Sequence, residues 1–228
     1  MNSDTTRLNK YIALHAGISR READDFVTHG RVTVNGETAT NGTQVTAHDL
    51  VEVDGRPIKK DTVLTYIALN KPISYVCSRR AQGDDKTIYD LLPAEYHTLK
   101  SVGRLDRDSS GLLLLTNDGD FAHQMTHPSF QKIKQYDVTL DKPLQPLHQQ
   151  MINDFGIDLD DGKSRLTLEG QSDNRLEWTV IMSEGRNRQI RRTFAALGYT
   201  VAKLHRTTFG PYRLNDLPSG SIRIVSKK

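Results

Sequence analysis

The sequence predicts an α+β protein, built as a small N-terminal α/β module followed by a larger domain around a mixed, mainly antiparallel sheet. Three features of the 228 residues carry this expectation. Two amphipathic helical segments open the chain and pass into short alternating strands. Strand-like segments then outnumber helical ones, with no regular strand–helix alternation. Between the two regions lies Arg56-Pro57-Ile58-Lys59-Lys60-Asp61, polar, proline-bearing and without an apolar period. A linker placed there divides the chain into residues 1–58 and 59–228.

In the first region, Leu8, Tyr11, Ile12 and His15 share one helical face, and Gly17 supplies a stop. Ser19-Arg20-Arg21-Glu22 has the spacing of a capping box, so a second helix runs from there to about His29, buries Ala23, Phe26 and Val27, and ends at Gly30. Val32 and Val34 alternate into Asn35-Gly36, a hairpin signal, and Val45, Leu50, Val51 and Val53 suggest short strands ending at Asp54-Gly55. In the second region, residues 63–69, 73–77, 136–140 and 176–181 read as strands, with Asn70-Lys71-Pro72 as a break between the first two. The clearest helix is 188–197, where Ile190, Phe194 and Leu197 share a face and Gly198 terminates it.

Composition excludes several classes. With 36% hydrophobic and 26% charged residues the chain is an ordinary globular protein, and no apolar run is long enough to cross a membrane. The polar N-terminus lacks the apolar core of a secretory signal, and the single cysteine, Cys77, cannot form an internal disulfide, so the cytoplasm is expected. Cys77 sits in a strand-like segment and reads as a packing residue. The histidines show no ligand spacing, and there is no glycine-rich phosphate loop ending in Lys-Ser, so neither metal nor cofactor is expected.

A net charge of +3 is mild, but its distribution is uneven. From Glu184 to Arg213 seven basic residues face one acid, a density that suits a polyanion, although charge runs are also commonly just solvated. Chemistry is concentrated elsewhere. Gly103-Arg104-Leu105-Asp106-Arg107-Asp108-Ser109-Ser110-Gly111 sets carboxylates in a polar turn ahead of Leu112 to Leu115, an apolar run short enough for a strand buried on both faces. Reactive groups are often carried by loops on such rigid supports, although periodicity does not separate strand from helix here and arginine–aspartate turns often form surface salt bridges.

Residues 6–55, through Leu8 to Ile12, Gly17 to Ala23 and Gly30 to Gly36, resemble the S4-like RNA-binding module. The resemblance implies that Arg7, Lys10, Arg20, Arg21 and Arg31 contact phosphate without reading sequence. Charge balance alone does not point there, since residues 1–60 carry eight basic and eight acidic side chains. Three further segments, Gly103 to Asp106 with Ser110 to Gly119, Lys134 to Val138, and Glu184 to Arg192, resemble in that order the signatures of the RsuA-like family of ribosomal RNA pseudouridine synthases.

That second resemblance implies a cofactor-independent isomerase acting on ribosomal RNA, naked or in an assembly intermediate. Asp106 would be the essential carboxylate, as nucleophile or as the base that takes a ribose proton. Arg191 would hold it ionised through a charge-assisted hydrogen bond, and Tyr136 would stack on the target base. Arg104 would enter the space left by the flipped uridine, with a turn ion pair to Asp106 or Asp108 as the competing role, while Arg186, Arg188 and Arg192 would neutralise flanking phosphates. The rival class is a non-catalytic RNA-binding or assembly factor, which has no use for a carboxylate where phosphates approach. Tyr75 to Ser78 resembles small-subunit members and Gly185 to Arg192 large-subunit ones, so the target is open. A monomer is expected.

Overall fold

The computed structural model describes residues 5–59, 62–79 and 83–228. The chain forms two compact units: Met1–Thr65 with Thr98–Lys100 and Asn117–Gly119, and the remainder from Tyr66 onward. No helix among the described residues is long and apolar enough to cross a membrane.

The smaller unit contains β1 (Thr6–Arg7), α1 (Leu8–His15), α2 (Arg20–Thr28), β2 (Val32–Val34), β3 (Glu37–Thr38), β4 (Gln44–Val45), β5 (Val51–Val53) and β6 (Arg56–Pro57). The capping box forms as its spacing predicts. The Glu22 amide donates to Ser19 Oγ at 3.1 Å and the Ser19 amide to Glu22 Oε2 at 3.4 Å, satisfying two N–H groups that a helix start leaves bare. Asn35 and Gly36 both take positive φ, 51° and 85°, as a two-residue hairpin requires. Leu8, Ile12, Ala23, Val27, Val32 and Val51 close the core, so each helix stripe and one face of the sheet β3-β2-β5-β6 are buried together.

Two expectations change here. The proposed linker is partly structure, since Arg56 and Pro57 pair with β5 and Ile58 packs on the small core. Proline is tolerated there because β6 is an edge strand with no outer partner needing its missing N–H. Lys60 and Asp61 lie outside the described residues. Leu50 is 47% exposed and precedes β5; its main chain, not its side chain, is used, by exchanging bonds with Asn35.

The larger unit contains β7 (Tyr66–Lys71), β8 (Tyr75–Val76), β9 (Lys86–Thr87), β10 (Lys100–Val102), β11 (Ser110–Thr116), α3 (Gly119–Thr126), β12 (Lys134–Leu140), α4 (Pro146–Gln150), β13 (Ile157–Leu159), β14 (Gly162–Ser164), β15 (Thr167–Gly170), β16 (Glu177–Met182), α5 (Gln189–Ala195), β17 (Val201–Phe209), β18 (Tyr212–Arg213) and β19 (Ile222–Ile224). Among the described residues its main sheet has nine strands along the path β15-β16-β12-β17-β11-β7-β19, with β10 beside β11 and β18 beside β17. Only β11 and β17 pair in parallel along that path, so the sheet is mixed and mainly antiparallel.

The leucine run is the buried strand β11. Leu112 and Leu114 join Phe121, Met125, Phe209 and Tyr212 in one core, while Leu113 and Leu115 alternate to the opposite face, directly across from Leu69 and Ile67 of β7. Each such leucine stabilises the fold by roughly 1.5–3 kcal/mol of apolar transfer.

β7 runs later than the alternation suggested. Val63 and Leu64 are exposed, whereas Asn70 and Lys71, read as a break, are the buried end of the strand. The 73–77 segment shrinks to Tyr75–Val76, paired among the described residues with β9 alone, and Ile73 is exposed at 60%.

Gly111 is the tightest point of this sheet. A Cβ there would lie 2.3 Å from the Arg206 carbonyl oxygen, and its φ of +105° suits glycine alone. We therefore expect Gly111→Ala to destabilise by more than about 3 kcal/mol in urea unfolding, while Gly36→Ala, with open space around it, costs only about 1 kcal/mol. Equal losses would contradict this account.

Candidate active site

Asp106 sits in the loop between β10 and β11, and that loop is pinned from several sides. Leu105 donates its N–H to Cys77 Sγ at 3.4 Å and accepts from the same thiol at 3.3 Å. Ser109 N–H returns to the Asp106 carbonyl at 3.0 Å, and Ser74 N–H donates to the Arg107 carbonyl at 2.8 Å. Arg107 pairs with Asp85 at 2.8 Å. Burial pushes the Cys77 thiol up, so it is a neutral hydrogen-bonding strut for this loop rather than a nucleophile. Held in this way, Asp106 needs little reorganisation to meet a ligand.

A cleft of about 420 Å³ opens beside it, lined in part by Arg104, Asp106, Tyr136, Arg188, Leu204 and Arg206. That volume suits one nucleoside-sized group. Tyr136 lies on β12, buried, directly opposite Arg206 of β17. Glu184 also lines the cleft, but it is bonded to Gln189 and Arg186. Asp106 carries a single ion pair, to Arg188 Nη1 at 3.6 Å, and keeps a third of its side chain exposed.

Two buried cations underlie the loop. Lys71 is fully buried; its ammonium donates to the carbonyls of Ser109 at 2.7 Å and Pro72 at 2.9 Å. Desolvation lowers its pKa to about 8, with Arg206 pushing the same way and Cys77, Asp106 and Asp108 opposing. Arg206 is 2% exposed, donates through Nε to the Leu112 carbonyl at 2.7 Å and lies over the Phe209 ring at 4.9 Å. The sequence reading missed both residues. A lysine closing an apolar strand before proline was the available signal for Lys71; Arg206 was counted only as one of the seven basic residues between Glu184 and Arg213.

The arginines divide differently from the expectation. Arg191 does not bond the Asp106 carboxylate. Its guanidinium donates to the Val201 carbonyl at 2.7 Å and the Asp108 carbonyl at 3.0 Å, so it braces the main chain of the loop. The carboxylate is met instead by Arg188, which precedes α5 in a left-handed conformation, φ 46°.

Arg186 and Arg192 are held by the β13–β14 hairpin. Arg186 bonds Asp161 at 2.7 Å and three carbonyls of residues 161–163, and Arg192 bonds Asp160 and Asp161. Their hydrogen-bonding capacity goes largely to this hairpin rather than to the free phosphate contacts expected of them. Arg104 is exposed and makes no ion pair with Asp106 or Asp108; among the described residues Asp106 pairs with Arg188 alone.

In the smaller unit, Arg7, Arg20 and Arg21 are exposed and Lys10 is half-buried. Arg20 donates to Asn9 at 3.2 Å. Arg31 is locked to Asp54 by two bonds of 2.8 and 2.5 Å and stacks over Phe26.

Residues 65–196 match the RNA pseudouridylate synthase family, and residues 6–51 match the S4 domain. The chain belongs to the RNA pseudouridylate synthase family. Among relatives of this synthase, the ribosomal large subunit pseudouridine synthase B of Bacillus subtilis is 36% identical over 95% of this chain and 91% of its own. The ribosomal small subunit pseudouridine synthase A of Pasteurella multocida is 38% identical over 96% of each. A solved crystal structure of a pseudouridylate synthase, 33% identical, covers 96% of both chains with a TM-score of 0.69.

Lys71 makes the stability of this synthase pH-dependent. Its folded pKa lies below that of an unfolded lysine, so between about pH 8 and 10.5 the unfolded chain holds a proton that the folded chain lacks, and stability from this group rises with pH. The stability difference between wild type and Lys71→Met in urea is expected to grow from pH 7.5 to 9.5 by an amount on the order of 1 kcal/mol per pH unit. A flat or falling difference would contradict it.

Proposed function

We propose that this chain isomerises a uridine of ribosomal RNA to pseudouridine, with residues 59–228 as the catalytic domain and residues 1–58 as the RNA-binding domain. The observation that carries the site assignment is Asp106: a carboxylate on a pinned loop, in a nucleoside-sized cleft, beside the buried ring of Tyr136. Ribosomal RNA as the substrate is supported by the relatives named as ribosomal large- and small-subunit pseudouridine synthases, which match at 36% and 38% identity over nearly their whole length.

The reaction breaks the bond from the ribose to the ring nitrogen, turns the base, and forms the bond to ring carbon 5; the proton displaced from that carbon is balanced by one gained at nitrogen. No electrons are exchanged with a donor and no group leaves. A carboxylate at the sugar serves as nucleophile or as base. Tyr136 supplies the face on which the base rests while it turns. Arg188, rather than Arg191, neutralises Asp106 in the free enzyme and is placed to move to a phosphate as RNA enters; Arg191 acts indirectly, by fixing the loop.

A stacked uridine cannot reach such a cleft, so it leaves the helix, and exposed Arg104 takes its space. Arg7, Lys10, Arg20 and Arg21 provide sequence-independent phosphate contacts, and Arg31, tied to Asp54, a weaker one. The enzyme works as a monomer in the cytoplasm on RNA that is naked or in an assembly intermediate, without cofactor or metal.

Mapping pseudouridine in both ribosomal RNAs, in cells with the wild-type chain, without it and with Asp106→Asn, tests this. One uridine is expected to lose its modification in both altered strains; full modification throughout would overturn the assignment. A second comparison separates the arginines. Arg188→Gln is expected to lower turnover at least about ten-fold while shifting unfolding by under about 0.5 kcal/mol, whereas Arg186→Gln chiefly lowers stability, by about 1–3 kcal/mol, because it strips several partners at once. The reverse pattern in activity and melting assays would be inconsistent with the division drawn here.

A further inference from the structure

Beyond the cleft, α3 and the turn after it build an aromatic surface with no assigned role. His123 and His127, one helical turn apart, bring their rings to 4.8 Å. Phe130, in the short turn Pro128–Phe130, meets both edge-on, at 5.9 and 6.3 Å. All three are exposed, Phe130 at 45%, and Ile133 beside them at 53%. Exposed apolar rings are not a by-product of a loose turn here. The His127 N–H donates to the His123 carbonyl at 2.9 Å and the Phe130 N–H to the His127 carbonyl at 3.1 Å. The His127 Nδ1 also lies 3.3 Å from the Ser129 amide and 2.8 Å from the Ser129 hydroxyl, which fixes the ring over the turn.

The surface borders the cleft directly, because His127, Pro128 and Lys132 also line it. Lys132 has no hydrogen-bond or ion-pair partner among the described residues. Exposed Arg104 lies on the same cleft. Rings flanked by cations match the chemistry of single-stranded RNA, a base face beside a phosphate, better than that of an apolar protein surface.

We propose that the His123–His127–Phe130 surface takes the base of a nucleotide adjacent to the flipped uridine, with Lys132 on the intervening phosphate. The inference rests on the function proposed above. Withdrawing one uridine leaves its neighbour with an unstacked face, and the aromatic surface at the cleft mouth replaces the lost stacking partner. Because every base has such a face, the subsite strengthens binding without dictating sequence.

The test uses the full chain and unmodified small- and large-subunit ribosomal RNA transcripts carrying tritium at uridine carbon 5, with tritium release as the readout. Phe130→Ala is expected to raise KM about ten-fold with kcat kept within about two-fold, the scale of one stacked base. Phe130→Tyr, which keeps the ring, is expected to bind like wild type, and Phe130→Leu, apolar but flat-faced no longer, like the alanine variant. Lys132→Ala is expected to raise KM and reduce its salt dependence.

An unchanged KM in Phe130→Ala, or a leucine variant equal to the tyrosine one, would overturn the subsite. The tyrosine and leucine pair decides the matter even if the alanine variant folds poorly. Conversion of a dimer to a monomer by Phe130→Ala in sedimentation would instead assign the surface to a second copy of the chain and likewise overturn it. Absence of tritium release by the wild type itself would remove the isomerase function, and the subsite with it, which is distinguishable from an active wild type with indifferent variants.

Discussion

Where β11 enters the sheet, Gly111 lies against the main chain of Arg206 so closely that even a methyl group would overlap the Arg206 nitrogen, carbon and oxygen. This contact accompanies the parallel register of Ser110 and Gly111 with His205 and Arg206, inside a sheet whose other pairs along the path are antiparallel. Three features of the cleft depend on it. The end of the Asp106 loop is fixed where Ser110 bonds His205 at 2.8 Å. The Arg206 guanidinium is turned onto the Leu112 carbonyl, and Tyr136, opposite Arg206 in the register, is carried against the same floor. Rigid packing on both faces of β11 then transmits this geometry to the carboxylate, since a close-packed core does not yield to small displacements.

The electrostatics follow from where charges are allowed to settle. Among the described residues Lys71 and Arg206 are buried without a carboxylate in direct contact; the Lys71 ammonium and the Arg206 Nε donate to main-chain carbonyls on either side of the entrance to β11, while the buried Arg206 Nη2 finds no partner. Carbonyl bonds lower the cost of burial without neutralising the charge, so a positive field remains beneath Asp106, which among the described residues is held only by the loose pair to Arg188, whereas Glu184 is bonded to both Gln189 and Arg186. Around the rim the opposite choice is made. Asp160 and Asp161 hold Arg186 and Arg192, and Arg192 in turn keeps the Asp161 carboxyl below its ordinary range. The basic stretch is therefore much less basic in three dimensions than in sequence.

This difference marks what was legible beforehand. The capping box at Ser19, the Asn35-Gly36 hairpin and the leucine strand depend on neighbours within a few residues, and local chemistry was enough to read them. The placing of Asp106 and Tyr136 in one cleft was read from a resemblance, because thirty residues of chain and a parallel register separate them. Lys71 and Arg206 stayed hidden for a physical reason: a charged side chain at the end of a strand looks like a boundary until carbonyls from elsewhere are found to receive it. The hairpin acids were equally invisible, lying some 25 to 32 residues before the arginines they hold.

Arg188 and Arg191, three residues apart, show why family position alone does not settle a contact. One turn of helix puts both on the side facing the Asp106 loop, but Arg191 finds two carbonyls in reach, and main-chain acceptors at 2.7 and 3.0 Å take up both of its terminal nitrogens. Arg188, ahead of the first turn and nearly half exposed, finds only the carboxylate, at a distance that leaves the pair loose and exchangeable with solvent. A phosphate brought to that rim competes with Asp106 for Arg188, not for Arg191. The brace on the loop thus survives the arrival of a polyanion, while the charge resting on the carboxylate is free to leave it.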